Sequence, residues 1–408
     1  MSVAPDLTRI PAAEPATLRG YVRDWVLGLR NGNLGALPIV IGLVVIAIVF
    51  QSLNSNFLTA GNFVNLMVQG AAMATLAMGI VFVLLIGEID LSVGYVSGVC
   101  GVLVALFLTP GDGQVPTPIA LLAAVVAGAA IGAVHGILIS KLKIPSFVVT
   151  LAGFLAWNGV VLLLIGSRGS IIIQDKLVIS LTSQFLLPAI AWGLMALAVV
   201  GYAAVQLIHR STRRRNGLSA DPLSIVALRV GALVLFGSGI VLIANLSRGI
   251  PYVFVLVGVL FLLWTFVLNR TKFGLSVYAV GGSIEAARRA GINTDRVRIA
   301  CFMIASSMAA IGGVILASRL RSVDSNVGGG SLLLYSIAAA VIGGTSLFGG
   351  RGSARSALLG ALVIASIDNG LGLLGLGSGQ KFVITGLVLL TAVAVDALSR
   401  RGRVTGRL

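Results

Sequence analysis

The sequence predicts an all-α, polytopic membrane protein of about twelve transmembrane helices with both termini in the cytoplasm. Three observations carry that prediction. Of the 408 residues, 57% are hydrophobic and only 10% are charged. Water-soluble domains carry about 25% charged residues, so this chain has too little polar surface to cover itself in water. Its apolar residues also run in blocks instead of broken stripes, and a spanning helix needs about 20 consecutive, mostly apolar residues. Finally, the basic residues are distributed unevenly between alternate loops.

Taken in order, the chain opens with a polar segment, 1–35. Within it Leu18, Val22, Trp25, Val26 and Leu29 fall at helical spacing, with Arg19, Arg23 and Arg30 opposite. This reads either as an amphipathic helix on the inner membrane surface or as an ordinary tail. No small-residue cleavage site follows the first apolar block, so a signal peptide is not expected. The twelve candidate spans are 36–53, 63–86, 91–108, 117–140, 144–165, 185–208, 223–245, 250–269, 298–318, 331–347, 355–376 and 380–398. Block 331–347 is short, as a half-spanning or broken helix would be. The basic loop 209–222, HRSTRRRNGLSADP, fits a solvated segment near anionic lipid. The loop 270–298 is too short for a core of its own. The expected organisation is therefore a cytoplasmic N-terminal segment, one membrane domain over 36–398, a cytoplasmic tail over 399–408, and no soluble domain.

Placing the N-terminus inside and crossing twelve times puts 22 of the 29 Lys and Arg residues on the cytoplasmic side and 6 outside, with Arg229 in a span. That asymmetry is the positive-inside rule. The net charge of +16 thus orients the chain, and no nucleic-acid partner is expected. Cys100 and Cys301 both fall inside spans, where a thiol behaves as a small apolar residue, and no disulfide is expected.

Several chemistries lack their motifs. No Gly-Lys dipeptide occurs, so no phosphate-cradling G-x-x-x-x-G-K-[ST] loop exists. Gly370-Leu371-Gly372-Leu373-Leu374-Gly375 matches a dinucleotide pattern by letters, but it ends an apolar helix instead of joining a strand to a helix. His135 and His209 stand far apart without neighbouring ligands, so no metal site is expected. No nucleophile–base set stands out, and no catalytic residue is assigned.

The 52 glycines recur inside apolar blocks, where small residues let helices approach closely. Gly343-Gly344 and Gly349-Gly350 flank Thr345-Ser346-Leu347-Phe348, as expected of a helix break that lines protein or a water-filled cavity. In Gly87-Glu88-Ile89-Asp90-Leu91-Ser92-Val93-Gly94, two carboxylates share a short turn between apolar blocks. A charge at the bilayer centre costs about 2.5–3.5 kcal/mol, so they face water, a cavity or a partner. Locally, Asp90 can cap the next helix and Glu88 can favour its positive end; a capped break beside a pore would serve both purposes. Asp368-Asn369 lies centrally in block 355–376. With no basic residue near it in its own helix, Asp368 is expected to face the bundle interior, either holding helices together or meeting a polar solute. Asn65, Gln69 and Asn158 are weaker candidates for amide contacts.

The cytoplasmic stretch from Thr271 carries a third motif. Ser283 can cap a short helix after Gly281-Gly282, with Glu285 in its first turn, Arg288 and Arg289 in its last, and Gly291 ending it. Its small Ala286-Ala287 face would let another protein approach closely. An isolated helix this short is unstable without a partner.

That stretch contains E-A-A-x-x-x-G over Glu285–Gly291, and it resembles the coupling-loop motif of ATP-binding-cassette importer permeases. The fuller FGLSVYAVGGSIEAARRAGI resembles the ribose/xylose-type sugar permeases of the branched-chain permease superfamily. So do GEIDLSVG at 87–94, AAAVIGGTSLFGGRGS at 338–353 and IDNGLGLLG at 367–375, the last favouring the xylose-like branch. The likeness covers residues 60–400. Two departures stand out: the Ile and Leu-Pro of the longer motif are absent, and 185–245 looks like an additional helix pair. The resemblance implies a homodimeric or otherwise paired permease in the bacterial inner membrane that receives sugar from an extracytoplasmic binding protein. Separate ATPase subunits, which hold the ATP and Mg, would drive it by alternating access through Gly282, Ser283, Glu285, Ala286, Ala287, Arg288 and Gly291. The polar pathway or helix-break residues would be Glu88, Asp90, Ser92, Asn158, Gly343, Gly344, Asp368 and Asn369. The alternative is an ion-coupled secondary transporter, which would need an acid near mid-membrane; Asp368 is the one candidate.

Overall fold

The computed structural model describes residues 37–111, 114–218, 220–388, 390 and 391, together with Arg23. The surface helix expected around Leu18–Leu29 and the tail 399–408 lie outside them. Every predicted block contains a helix among its described residues. In chain order these are α1 (Leu37–Leu53), α2 (Ala60–Leu85), α3 (Val93–Leu108), α4 (Thr117–Lys141) and α5 (Ser146–Ile165). A short strand β1 (Ser170–Ile172) and helix α6 (Lys176–Ser183) follow, then α7 (Pro188–Arg215), α8 (Leu223–Asn245) and α9 (Tyr252–Arg270). Next come α10 (Lys272–Gly282), α11 (Ile284–Arg289), α12 (Thr294–Leu320), β2 (Ser322–Asp324), α13 (Ser331–Ile342) and α14 (Ala354–Leu373). The chain is helical again over 378–388. Among the described residues, eight helices are long and apolar enough to cross a membrane, while α1, α3 and α13 are shorter apolar helices.

Two edges differ from the sequence reading. Helix α12 starts at Thr294, not 298, capped by the Asn293 side chain on the Arg296 amide. Helix α7 runs on through Arg213, Arg214 and Arg215, turning half of the basic loop into helix. Arginine is a good helix former, and positive charge is favourable at a helix C-terminus.

The described residues fall into two compact units: Leu187–Gly249, and the described parts of 36–186 and 250–401. The first is the α7–α8 hairpin, the additional pair noted in the sequence. Its turn is held by Arg229, whose Nη1 lies 2.8 Å from Asp221 Oδ2, and by Arg210 Nε donating to the Asp221 carbonyl.

In the larger unit α12 packs against α2, α3 and α4, and every residue from Ala71 to Ile86 on α2 is buried. Backbone approach makes this possible. Gly128, Gly132 and Gly136 recur every fourth residue along α4 and face Ser306, Phe302 and Ile299 of α12. A Cβ at Gly128 would sit 2.7 Å from the Ser306 carbonyl, and one at Gly136 would sit 2.7 Å from Ile299 Cα. Lipid supplies no hydrophobic drive between helices, so close small-residue packing carries the association.

Loops assigned to the same side of the membrane meet each other. At one end β1 pairs antiparallel with β2, and Thr117 Oγ1 donates to Asp175 Oδ2 over 2.8 Å. At the other end lie 86–92, 141–146, 281–298 and 345–352, joined by the contacts described below. The expected broken helix is present: α13 has only 12 residues and stops at Gly343. Before it, residues 327–329 are non-helical and press onto α3, where a Cβ at Gly94 would lie 2.6 Å from the Gly328 carbonyl. Irregular backbone at membrane depth persists only when protein covers it.

Gly128→Val is expected to destabilise the purified protein by about 1–3 kcal/mol, the usual cost of overpacking a filled interface. Gly231→Val on α8, with open space around it, is expected to leave the melting temperature nearly unchanged. Thermal unfolding in detergent measures both.

Candidate functional site

Three motifs that are distant in sequence converge at one junction. The α10 residue Gly281 sits so close to the break after α2 that a Cβ there would overlap the Leu85 carbonyl and lie 2.7 Å from the Gly350 amide. That amide donates to Leu85 O over 2.8 Å. A Cβ at Gly349 would meet Gly281 O at 2.8 Å and Gly87 N at 3.0 Å. Gly87, Gly349 and Gly350 all have positive φ, which side-chain-bearing residues rarely adopt. Tyr278 adds a hydrogen bond from its hydroxyl to Gly352 O at 2.8 Å. Gly343 belongs to the same break and is buried against Ser356, while Gly344 turns the chain at φ +100°.

Helix α11 projects from this junction as the sequence leads one to expect. Ser283 caps it by accepting from the Ala286 amide, Glu285 and Arg288/Arg289 occupy its two ends, and Gly291 turns the chain at φ +81°. One expectation is corrected. Ala287 is buried against its own chain at 3% exposure, whereas Ala286 is exposed. One and a half turns of helix must root themselves on one face, and Ala287 is on it. The outward surface is Gly282, Ser283, Glu285, Ala286, Arg288 and Arg289. Beside it runs a groove of about 380 Å³ lined by Lys143, Arg288, Ile292, Asn293, Thr294 and Asp295. Asp295 reaches Lys143 at 3.2 Å and Lys141 at 3.4 Å.

Glu88 is not left to a helix dipole. Its Oε1 lies 2.6 Å from Arg298 Nη2, and both side chains are nearly covered, at 13% and 15% exposure. Asp90 does not take the N-cap position either; Ser92 holds it and makes no side-chain cap. Instead Asp90 Oδ1 accepts from the Ser92 amide at 2.9 Å and the Ser92 hydroxyl at 2.6 Å, closing a turn within the break.

From Ser92 a buried chain runs on. Its Oγ lies 3.2 Å from His135 Nδ1, and Trp157 Nε1 donates to His135 Nε2 over 3.1 Å. Indole can only donate, so Nε2 accepts and the ring proton sits on Nδ1. Nδ1 then donates to Ser92 Oγ, whose own proton goes to Asp90. Room for the imidazole comes from Gly153, where a Cβ would lie 2.8 Å from Nε2. Sequence reading set His135 aside as a metal ligand and missed this role, together with Trp157 and Arg298. The available signal was an ionisable residue inside a span, by itself a pointer to function.

At the opposite end of the larger unit a second polar cluster forms. Asn62 and Asn369 exchange side-chain amide hydrogen bonds at 2.8 and 2.9 Å, and Asn369 also donates to Gln69 Oε1 at 3.2 Å. Asp368 is half-buried and faces Lys381 at 3.7 Å. Its cation comes from the next segment, which a search of its own helix could not find. Asn65 is exposed on α2, and Asn158 is half-buried on α5 and joins neither network. Among the described residues no group of three or more His, Cys, Asp or Glu could hold a metal, and Cys100 and Cys301 are buried free thiols.

Asn62→Leu or Asn369→Leu strands the surviving buried amide, at a cost of about 1–3 kcal/mol. The double variant is expected to cost less than the sum of the two, which a double-mutant cycle on thermal unfolding reads directly.

Residues 62–393 match the family described as branched-chain amino acid transport system / permease component. The xylose transport system permease protein XylH of Escherichia coli (strain K12) is 36% identical over 377 residues, covering 92% of this chain and 94% of that protein. XylH of Haemophilus influenzae is 33% identical over 375 residues, covering 91% and 99%. The ribose import permease protein RbsC of Escherichia coli (strain K12) is 30% identical over 378 residues, covering 93% and 96%. No solved structure matches the chain. The relatives are named as transport permeases and not as enzymes. With its many apolar helices and this match over most of its length, the chain belongs to the branched-chain transport permease family, on the branch that holds XylH and RbsC.

Proposed function

We propose that the chain is the membrane-spanning subunit of an ATP-binding-cassette importer that carries a monosaccharide, a pentose such as xylose or ribose, across a bacterial inner membrane. The observation that carries this reading is the exposed helix Ser283–Gly291, capped at one end, turned by Gly291 at the other, and rooted through Gly281 in two helix breaks. A partner ATPase docks on Glu285, Ala286, Arg288 and Arg289, with the adjoining groove taking part of its surface. With no Gly-Lys dipeptide to build a phosphate loop, ATP and Mg are held by that partner. A second copy of the permease completes the translocation path, and an extracytoplasmic binding protein delivers the sugar.

Each polar group takes a part in this scheme. The amides of Asn62, Gln69 and Asn369 and the Asp368 carboxylate suit the hydroxyls of a sugar, which both donate and accept hydrogen bonds. Alternating access is movement of the breaks at 86–92 and 343–353 when the ATPase pair closes and pushes α11. Non-helical backbone bends more readily than a hydrogen-bonded helix, so the displacement concentrates there.

Ala286→Trp is expected to abolish co-purification of the ATPase subunits while membrane insertion stays normal. Val205→Trp on the exposed face of α7 is expected to be tolerated. Uptake of radiolabelled xylose and ribose by a deletion strain carrying each variant is the matching functional measurement. Wild-type co-purification and uptake by Ala286→Trp would remove the docking role, and stoichiometric ATP binding by the isolated chain would remove the division of labour.

A further inference from the structure

We propose that the half-buried Glu88–Arg298 ion pair is the strut that transmits movement of the docking helix to the break at 86–92, making both residues positioning residues for coupling. The inference rests on the importer reading above and adds a specific pair to it.

The argument begins with connectivity. Helix α11 is joined to α12 by four residues, and the join is stiff: Gly291 N donates to Arg288 O and Ile292 N to Ala287 O, both at 3.0 Å. Arg298 stands in the second turn of α12, so a push on α11 carries its guanidinium along. Beside the packing of Ile299 on Gly136, the α12 start has a second polar link, Asp295 to Lys141 and Lys143, but those lysines are 59% and 57% exposed. Ion pairs in water transmit little, because solvent screens them and either partner can be exchanged for water. Glu88 and Arg298 are much less exposed, at 13% and 15%.

The receiving side is built to move. Glu88 lies two residues before Asp90 in backbone that belongs to no helix. On one flank Ile89 touches α5 through a 3.4 Å amide contact to Ser146 Oγ and a 3.2 Å bond from Thr150 Oγ1 to its carbonyl, both long. On the other flank Asp90 anchors the Ser92–His135–Trp157 chain while its second carboxylate oxygen, Oδ2, is buried without a partner. Arg298 Nε is likewise buried without a partner. The pair is therefore held by one short contact, not a two-pronged fork, which leaves it free to pivot. Displacing Glu88 shifts Asp90, and with it the serine and histidine that tie the break to α4 and α5.

The test uses the assembled transporter, with its ATPase subunits and binding protein, in proteoliposomes. The quantity read is radiolabelled xylose or ribose imported per ATP hydrolysed. Glu88→Gln and Arg298→Met are each expected to keep the ATPase subunits bound and hydrolysing, while sugar per ATP falls about tenfold, within the usual range of coupling factors. Exchanging the pair, Glu88→Arg with Arg298→Glu, is expected to restore most of that ratio. A merely structural pair would lower assembly or melting temperature and leave the ratio alone. Unchanged stoichiometry in both single variants overturns the proposal, as does an assembled exchange variant that stays uncoupled. Loss of assembly in all three makes the pair a clamp and overturns it too. Absence of ATP-driven uptake by the unmodified complex is a different failure, which sinks the importer reading itself.

Discussion

A backbone amide or carbonyl inside a bilayer has no water to turn to, so a chain that leaves the helix at membrane depth must find partners within the protein. This chain leaves the helix at 86–92, around 327–329 and at 343–353, and each time another stretch of backbone lies against it. Glycine permits that closeness. Gly281 against Leu85 and Gly350, and Gly94 against Gly328, are contacts that a methyl group would block. The residue that leads into α11 and the breaks at 86–92 and 343–353 meet at these backbone-to-backbone seats.

The same constraint explains where charge is allowed. Glu88 and Arg298 are covered and paired, and Asp90 is covered and held by a serine. At the other end the buried polar groups are the Asn62 and Asn369 amides, whose neutrality lets them be buried as a reciprocal pair at modest cost, while the charged Asp368 and Lys381 beside them stay partly exposed.

Packing between the long helices follows a different rule. α4 and α12 meet through a four-residue glycine repeat, and α2 is sheathed on every side over its second half. Such a core is rigid. In the proposed transport cycle that rigidity would confine bending to the breaks, because a tightly interdigitated helix pair has no nearby alternative arrangement to adopt.

Hydrophobic block length was enough to find the helical blocks as far as they are described, the short α13 included, and capping residues the extent of α11, since these depend on neighbours within a few residues. The family likeness was legible for the same reason: it lies in four contiguous motifs. Contacts across the fold were not legible. Lys381 reaching Asp368, Arg298 reaching Glu88, and His135 joining Ser92 to Trp157 depend on which helix lies beside which, and apolar blocks of similar composition do not specify that. The burial of Ala287 is the plainest instance. The sequence determined that residues 284–289 form a helix with a small face, but which of its two alanines points outward was decided by how α12 holds it, because rotation about so short an axis is set by its anchor and not by its own residues.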